Sequence, residues 1–206
     1  MAELIIPRQC AGCGTAGVWL CQRCQHVLAR PPQRITPRVD PQIPIYAFGP
    51  YNDAHREVVL AMKENAHRRI RQHVGALLKA GVLRLQSRGE LPHSICLVPA
   101  PSSKSSMKAR GGDHVTDCCR ASGIKTQVLV RHSRKVKDSV GLDVMARREN
   151  LSGQLRWLGA GVDPRELGNV VIVDDVVTTG ATMEATANML RFHGVDVVAG
   201  LSLCEA

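Results

Sequence analysis

Apolar residues in this chain fall into short unbroken runs separated by longer stretches with helical spacing. Val170-Val171-Ile172-Val173 is a row of β-branched residues, the mark of a strand buried on both faces. Ser94 to Val98 predicts a second buried strand, Ile43 to Phe48 and Thr126 to Val130 two more, and Asp196 to Leu203 the last. Between them, helical spacing predicts a helix from Asp53 to about Glu64 and another over Arg69 to Leu85. A third runs from Asp113 to Ala121 with Gly123 as its stop, and a fourth from Gly180 to Phe192 closed by Gly194. Lys135 to Gly141 reads as a mobile loop before a short helix over Val144 to Leu151. Strands alternating with helices imply parallel pairing: an α/β fold with a doubly wound, mostly parallel sheet.

The end of the Val170–Val173 strand carries the candidate chemistry. It continues Asp174-Asp175-Val176-Val177-Thr178-Thr179-Gly180-Ala181-Thr182, and then the last predicted helix begins. In open α/β sheets ligands bind outside the carboxyl ends of the strands. A helix N-terminus there offers free N–H groups and a positive dipole end, which suit a phosphate. Three threonine hydroxyls add donors, and Gly180 allows close approach. Asp174 and Asp175 repel phosphate, so they should face another part of the same ligand, such as the vicinal hydroxyls of a ribose or a hydroxyl-bound Mg²⁺. The pattern is shaped for a ribose 5-phosphate. No Gly-x-x-x-x-Gly-Lys-Ser/Thr or Gly-x-Gly-x-x-Gly run is present, so P-loop and dinucleotide readings have no support.

Four cysteines near the N-terminus, Cys10, Cys13, Cys21 and Cys24, form two Cys-x-x-Cys knuckles seven residues apart. Such knuckles present four thiolates to one tetrahedral ion, which favours a structural zinc with no open coordination position. Disulfides are the alternative, disfavoured in a chain expected to be cytoplasmic. Met1 to Pro7 is too short and wrongly charged for a signal peptide, and no apolar run is long enough to cross a membrane. Residues 29–44 carry five prolines and predict an extended, semi-rigid linker. The expected layout is a finger at 1–28, a linker at 29–44 and an α/β domain at 45–206.

Among 206 residues the net charge is +9, gathered at Arg68 to Arg71, Lys104 to Arg110 and Arg131 to Lys137. Such runs suit acidic ligands or nucleic acid, or are solvated faces. Aromatic residues are only 3%, which weakens a single-strand reading that needs stacking platforms.

The stretch from Val170 to Thr182 resembles the phosphoribosyl pyrophosphate (PRPP) motif of type I phosphoribosyltransferases. With the four-cysteine finger ahead of it, the chain resembles the ComF-type, competence-associated phosphoribosyltransferase-like family. Val98-Pro99-Ala100-Pro101 matches that family's Val-Pro-x-Pro. By resemblance the loop there binds pyrophosphate through Ala100, Pro101, Ser102, Ser103 and Lys104. The family's Arg-Gly-Phe-Asn-Gln reads Arg110-Gly111-Gly112-Asp113-His114 here, and its Leu-Lys-Phe/Tyr reads Met62-Lys63-Glu64. Gly141-Leu142, Arg147 and Asn150 persist, while Val140 replaces a glutamine. The resemblance implies PRPP and Mg²⁺ as ligands, an unidentified acceptor, and Asp174 and Asp175 as the catalytic pair. Two rival readings stand beside it: a non-catalytic accessory to single-stranded DNA uptake, with DNA or competence proteins as partners, and a PRPP-sensing regulator.

Overall fold

The computed structural model describes residues 8–63, 68–101, 113–133 and 155–206. Five strands form one sheet in the order β1-β2-β7-β6-β3. They are β1 (Gln33–Ile35), β2 (Ile45–Ala47), β3 (Ile95–Pro99), β6 (Asn169–Val177) and β7 (Val197–Glu205). β2, β7, β6 and β3 run parallel, and only β1 is antiparallel. A separate two-stranded ribbon pairs β4 (Val130–His132) with β5 (Leu155–Trp157). The helices are α1 (Gln22–Leu28), α2 (Asp53–Lys63), α3 (Arg68–Ser87), α4 (His114–Ala121), α5 (Pro164–Leu167) and α6 (Ala181–Phe192).

Strand β6 is central, and its side chains alternate between two cores. Val171 and Val173 pack with α2, α3 and α4 through Met62, Leu78 and Val115. Val170 and Ile172 face the other way, onto Met183, Ala187 and Leu190 of α6. Helices cover both faces, so the sheet is doubly wound and mostly parallel, as the unbroken apolar run of β6 requires. Among the described residues no helix is long and apolar enough to cross a membrane.

Most elements fall where the pattern puts them. Asp113 caps α4 by accepting from the Thr116 N–H. The stretch at 126–130 differs. Residues 125–127 touch β3 through one bridge, Leu97 N–H to Lys125 O at 2.8 Å and Gln127 N–H to Leu97 O at 2.9 Å. The chain then leaves to form β4. The expected loop at 135–141 and helix at 144–151 lie outside the described residues.

Residues 29–44 are extended but not set apart from the sheet. Residues 33–35 add β1 to its edge. Further on, the Val39 N–H donates to Thr179 O at 2.8 Å, and the Arg191 guanidinium donates to the carbonyls of Pro41 (3.1 Å) and Gln42 (2.8 Å). The cysteine-bearing segment also joins the main core: Cys10, Leu20, Cys24 and Leu28 cluster with Ala54 and Val58 of α2. The Arg69 guanidinium lies 5.8 Å from the Trp19 ring centroid, tying the same segment to α3.

Candidate functional site

β6 delivers Asp174 and Asp175 to the carboxyl edge of the sheet, beside the end of β3. There the Ala100 N–H donates to Val173 O at 2.7 Å, and Ala100 and Pro101 are buried. Ser102, Ser103 and Lys104 lie outside the described residues. The two carboxylates continue opposite sides of the β6 alternation. Asp175 follows Val171 and Val173 toward α2 and α4. Asp174 follows Val170 and Ile172 toward the α6 side.

Asp175 is already engaged. Its Oδ2 lies 2.8 Å from Lys63 Nζ and 2.8 Å from His114 Nε2, which donates to it. Its Oδ1 accepts from the Val176 N–H at 2.7 Å. Burial alone pushes an acid up, but the His114 hydrogen bond and the Lys63 charge outweigh it and hold this carboxyl well below its ordinary range. Asp174 goes the other way: burial, and then the neighbouring Asp175 charge, push it well above that range. Its Oδ1 accepts from the Asp175 N–H at 2.8 Å. The adjacent acids therefore differ in kind, one ionised and clamped, the other ready to hold a proton.

Sequence reasoning carried Lys63 only as the retained lysine of a family motif and His114 only as a departure from another, neither with a role. The site's second layer was missed too. Arg71 counted as part of a basic run, yet it is 3% exposed. It donates to Met62 O from Nε (3.1 Å) and from a terminal nitrogen (3.0 Å), and pairs with Asp117 at 2.7 Å. It thus fixes the C-terminal end of α2, where Lys63 stands, against α4, where His114 stands. Its partners, the Met62 carbonyl and Asp117, lie 9 and 46 residues away in sequence, so no local signal marks it.

The turn after β6 has the expected form. Val176 is half-buried and Val177 buried, while Thr178, Thr179, Ala181 and Thr182 are exposed. Gly180 caps α6 with φ of +89°, a left-handed conformation that favours glycine. The Ala181 N–H donates to Thr179 Oγ1 at 3.3 Å. What approaches Gly180 is the strap from residues 37–39. A Cβ there would lie 2.7 Å from Pro37 Cβ and 2.7 Å from Val39 O. The glycine is required by the protein's own packing. The hydroxyls beside it stay open to solvent, so the loop keeps the donors that an anion needs.

The four cysteine sulfurs all lie within 4.8 Å of one another. Cys13 and Cys21 Sγ are 3.6 Å apart, near the roughly 3.8 Å edge of a tetrahedron with Zn–S bonds of about 2.3 Å. The Cys21 N–H donates to Cys10 Sγ at 3.2 Å, the kind of bond that stabilises a thiolate ligand. Gly12 is required because a Cβ there would lie 2.8 Å from Cys24 Sγ. This cluster can hold a metal ion such as zinc. Cys96, Cys118, Cys119 and Cys204 are buried core thiols, as their apolar flanks predict.

Of the basic runs, Arg131 is exposed and faces the exposed Arg156 across β4 and β5.

No protein-family profile matches the chain. No curated protein sequence matches it either. Among solved structures, one described as the structure of the allosteric regulatory enzyme of purine biosynthesis aligns with 72% of this chain at 19% identity and a TM-score of 0.37. The chain spans 26% of that structure's length.

Proposed function

We propose that this chain is a type I phosphoribosyltransferase-like protein of the ComF type that binds PRPP with Mg²⁺. Residues 1–28 form its zinc finger, 29–44 a connecting strap and 45–206 the phosphoribosyltransferase-like domain. The observation that carries the reading is the junction of β6 and α6. An acid pair at a strand's carboxyl end, exposed hydroxyls at Thr178, Thr179 and Thr182, and a left-handed Gly180 cap meet at one helix N-terminus.

In this reading the 178–182 loop anchors the 5-phosphate through backbone N–H groups and hydroxyls. Asp174 hydrogen-bonds the ribose hydroxyls, and the ionised Asp175 beside it stabilises positive charge on the sugar as the pyrophosphate bond loosens. Asp175, clamped by Lys63 and His114, supports that edge of the site. Ser102, Ser103 and Lys104 take the pyrophosphate. Mg²⁺, carried on the ligand's hydroxyl and phosphate oxygens, supplies neutralising charge to the leaving group. The acceptor is unidentified.

A PRPP sensor is the second reading, favoured by Asp175 being held by two protein groups, Lys63 and His114. Calorimetry with PRPP and Mg²⁺ tests the shared core of both. Asp174→Asn is expected to weaken PRPP by about 0.5–1.5 kcal/mol, the scale for a hydrogen bond between neutral groups. Equal binding by wild type and variant sinks the reading. Pyrophosphate release then separates a transferase from a sensor.

A further inference from the structure

Outside this site, a groove of about 250 Å³ opens between residues 29–32 and α3. Pro31, Pro32, Phe48 and Leu77 supply most of its apolar lining. Its floor packs directly on Gly81: a Cβ there would lie 2.4 Å from the Phe48 ring and 3.1 Å from Pro32. Arg30 and Arg84 line it from different segments, one leaving α1 and the other on α3. Both are exposed, and among the described residues neither guanidinium makes an ion pair or a side-chain hydrogen bond. An apolar floor with a few convergent polar groups is a common feature of binding sites. Arginine's fork is suited to carboxylates.

We infer that this groove docks an acidic segment of a partner protein, in which two carboxylates flank one bulky apolar side chain. The apolar side chain rests on Phe48 and Pro32, and the flanking carboxylates meet Arg30 and Arg84. Two guanidiniums on separate segments call for two anions either side of an apolar group, which a single small carboxylate does not provide. The chain's charge of +9 favours an acidic partner from a distance. Leu83, 55% exposed one residue before Arg84, adds apolar surface on the same helix.

The protein carries its own reporter. Phe48 and Leu77 also line a small cavity that His55 borders. His55 is 5% exposed and its Nε2 has no hydrogen-bond partner among the described residues. Burial, and then the Arg30 charge, hold its imidazole below the ordinary value. An anion on Arg30 relieves the second effect.

The test uses the full-length protein and a fluorescein-labelled capped peptide, Glu-Phe-Glu, followed by anisotropy and by the His55 NMR signals. Saturable binding is expected, weakened about threefold by Arg30→Ala and by Arg84→Ala, the scale of an exposed charge pair, and weakened as salt rises. Ala80→Trp, at an exposed position of the groove wall, should weaken it more than tenfold, and the His55 imidazole should titrate at higher pH with peptide bound. The inference is overturned if Glu-Phe-Glu does not bind, or if the arginine variants bind it unchanged. It also fails if Glu-Ala-Glu binds equally well, or if phenylacetate or a single-stranded oligonucleotide displaces the peptide at lower concentration. None of these outcomes depends on PRPP, so the groove and the phosphoribosyltransferase reading stand or fall separately.

Discussion

Lys63, the last residue of α2, places its ammonium 2.8 Å from Oδ2 of Asp175. The pair is mostly buried, with side-chain exposures of 24% and 15%. Asp175 is held below its ordinary value, so its contribution to stability is present above about pH 4, the ordinary range for aspartate. It is lost as pH falls through the lower folded value. Lys63→Met should cost about 1–2 kcal/mol at pH 7, allowing for partial exposure, and move the acid unfolding midpoint upward. Thermal unfolding between pH 2 and 7 measures both.

Asp174 has the opposite sign. Its folded value is raised, so ionising it near neutral pH costs stability that is present at lower pH and lost as pH rises through that value. Asp174→Asn should therefore raise stability at pH 7 by about 1 kcal/mol while weakening PRPP. Calorimetric unfolding without ligand checks the first half. A variant less stable at pH 7 would contradict the assignment.

One zinc ion per chain is expected, by elemental analysis of the purified protein. Cys21→Ser should lose the metal and destabilise α1 and its contact with α2, because metal binding there is folding free energy. A metal-free protein with an unchanged melting curve would remove the finger from the account.

Gly180→Ala should destabilise by about 2 kcal/mol or more, from the left-handed backbone and from collision with Pro37 and Val39. Hydrogen exchange should quicken at the Val39 amide, whose partner is Thr179 O. If only phosphate affinity changes, the strap contact is incidental.

Arg71→Leu should cost about 2–3 kcal/mol, since two hydrogen bonds to the Met62 carbonyl are lost in a buried place. Chemical denaturation reads this, and the Lys63 side-chain NMR signals should broaden as the end of α2 loosens.

These residues also mark how far the chain could be read directly. The doubly wound sheet was legible because Val170–Val173 leaves no polar face and because helices and strands alternate. The cysteine cluster was legible because its spacing is local. Strand β1 was not: Gln33-Arg34-Ile35 has no apolar pattern, and what makes it a strand is its backbone pairing with Ile45–Ala47. Arg71 read as surface charge because burial of an arginine depends on partners far off in sequence, Met62 O and Asp117. The inequality of Asp174 and Asp175 was hidden for the same reason. Both read as ligand-facing acids, and only the placement of α2 and α4 by the core separates them.

Helix α2 reaches from the cysteine cluster to the acid pair. Ala54, in its first turn, lies where a Cβ on Gly12 would come within 3.3 Å of it, and Lys63, at its end, grips Asp175. The eleven residues of α2 form one continuous helix that joins these grips. The cysteine cluster and the acid pair therefore share a mechanical part. Selection on one will leave its mark on the other, and substitutions that compensate one another between the two ends of α2 are where a comparison of many such chains should find correlated change.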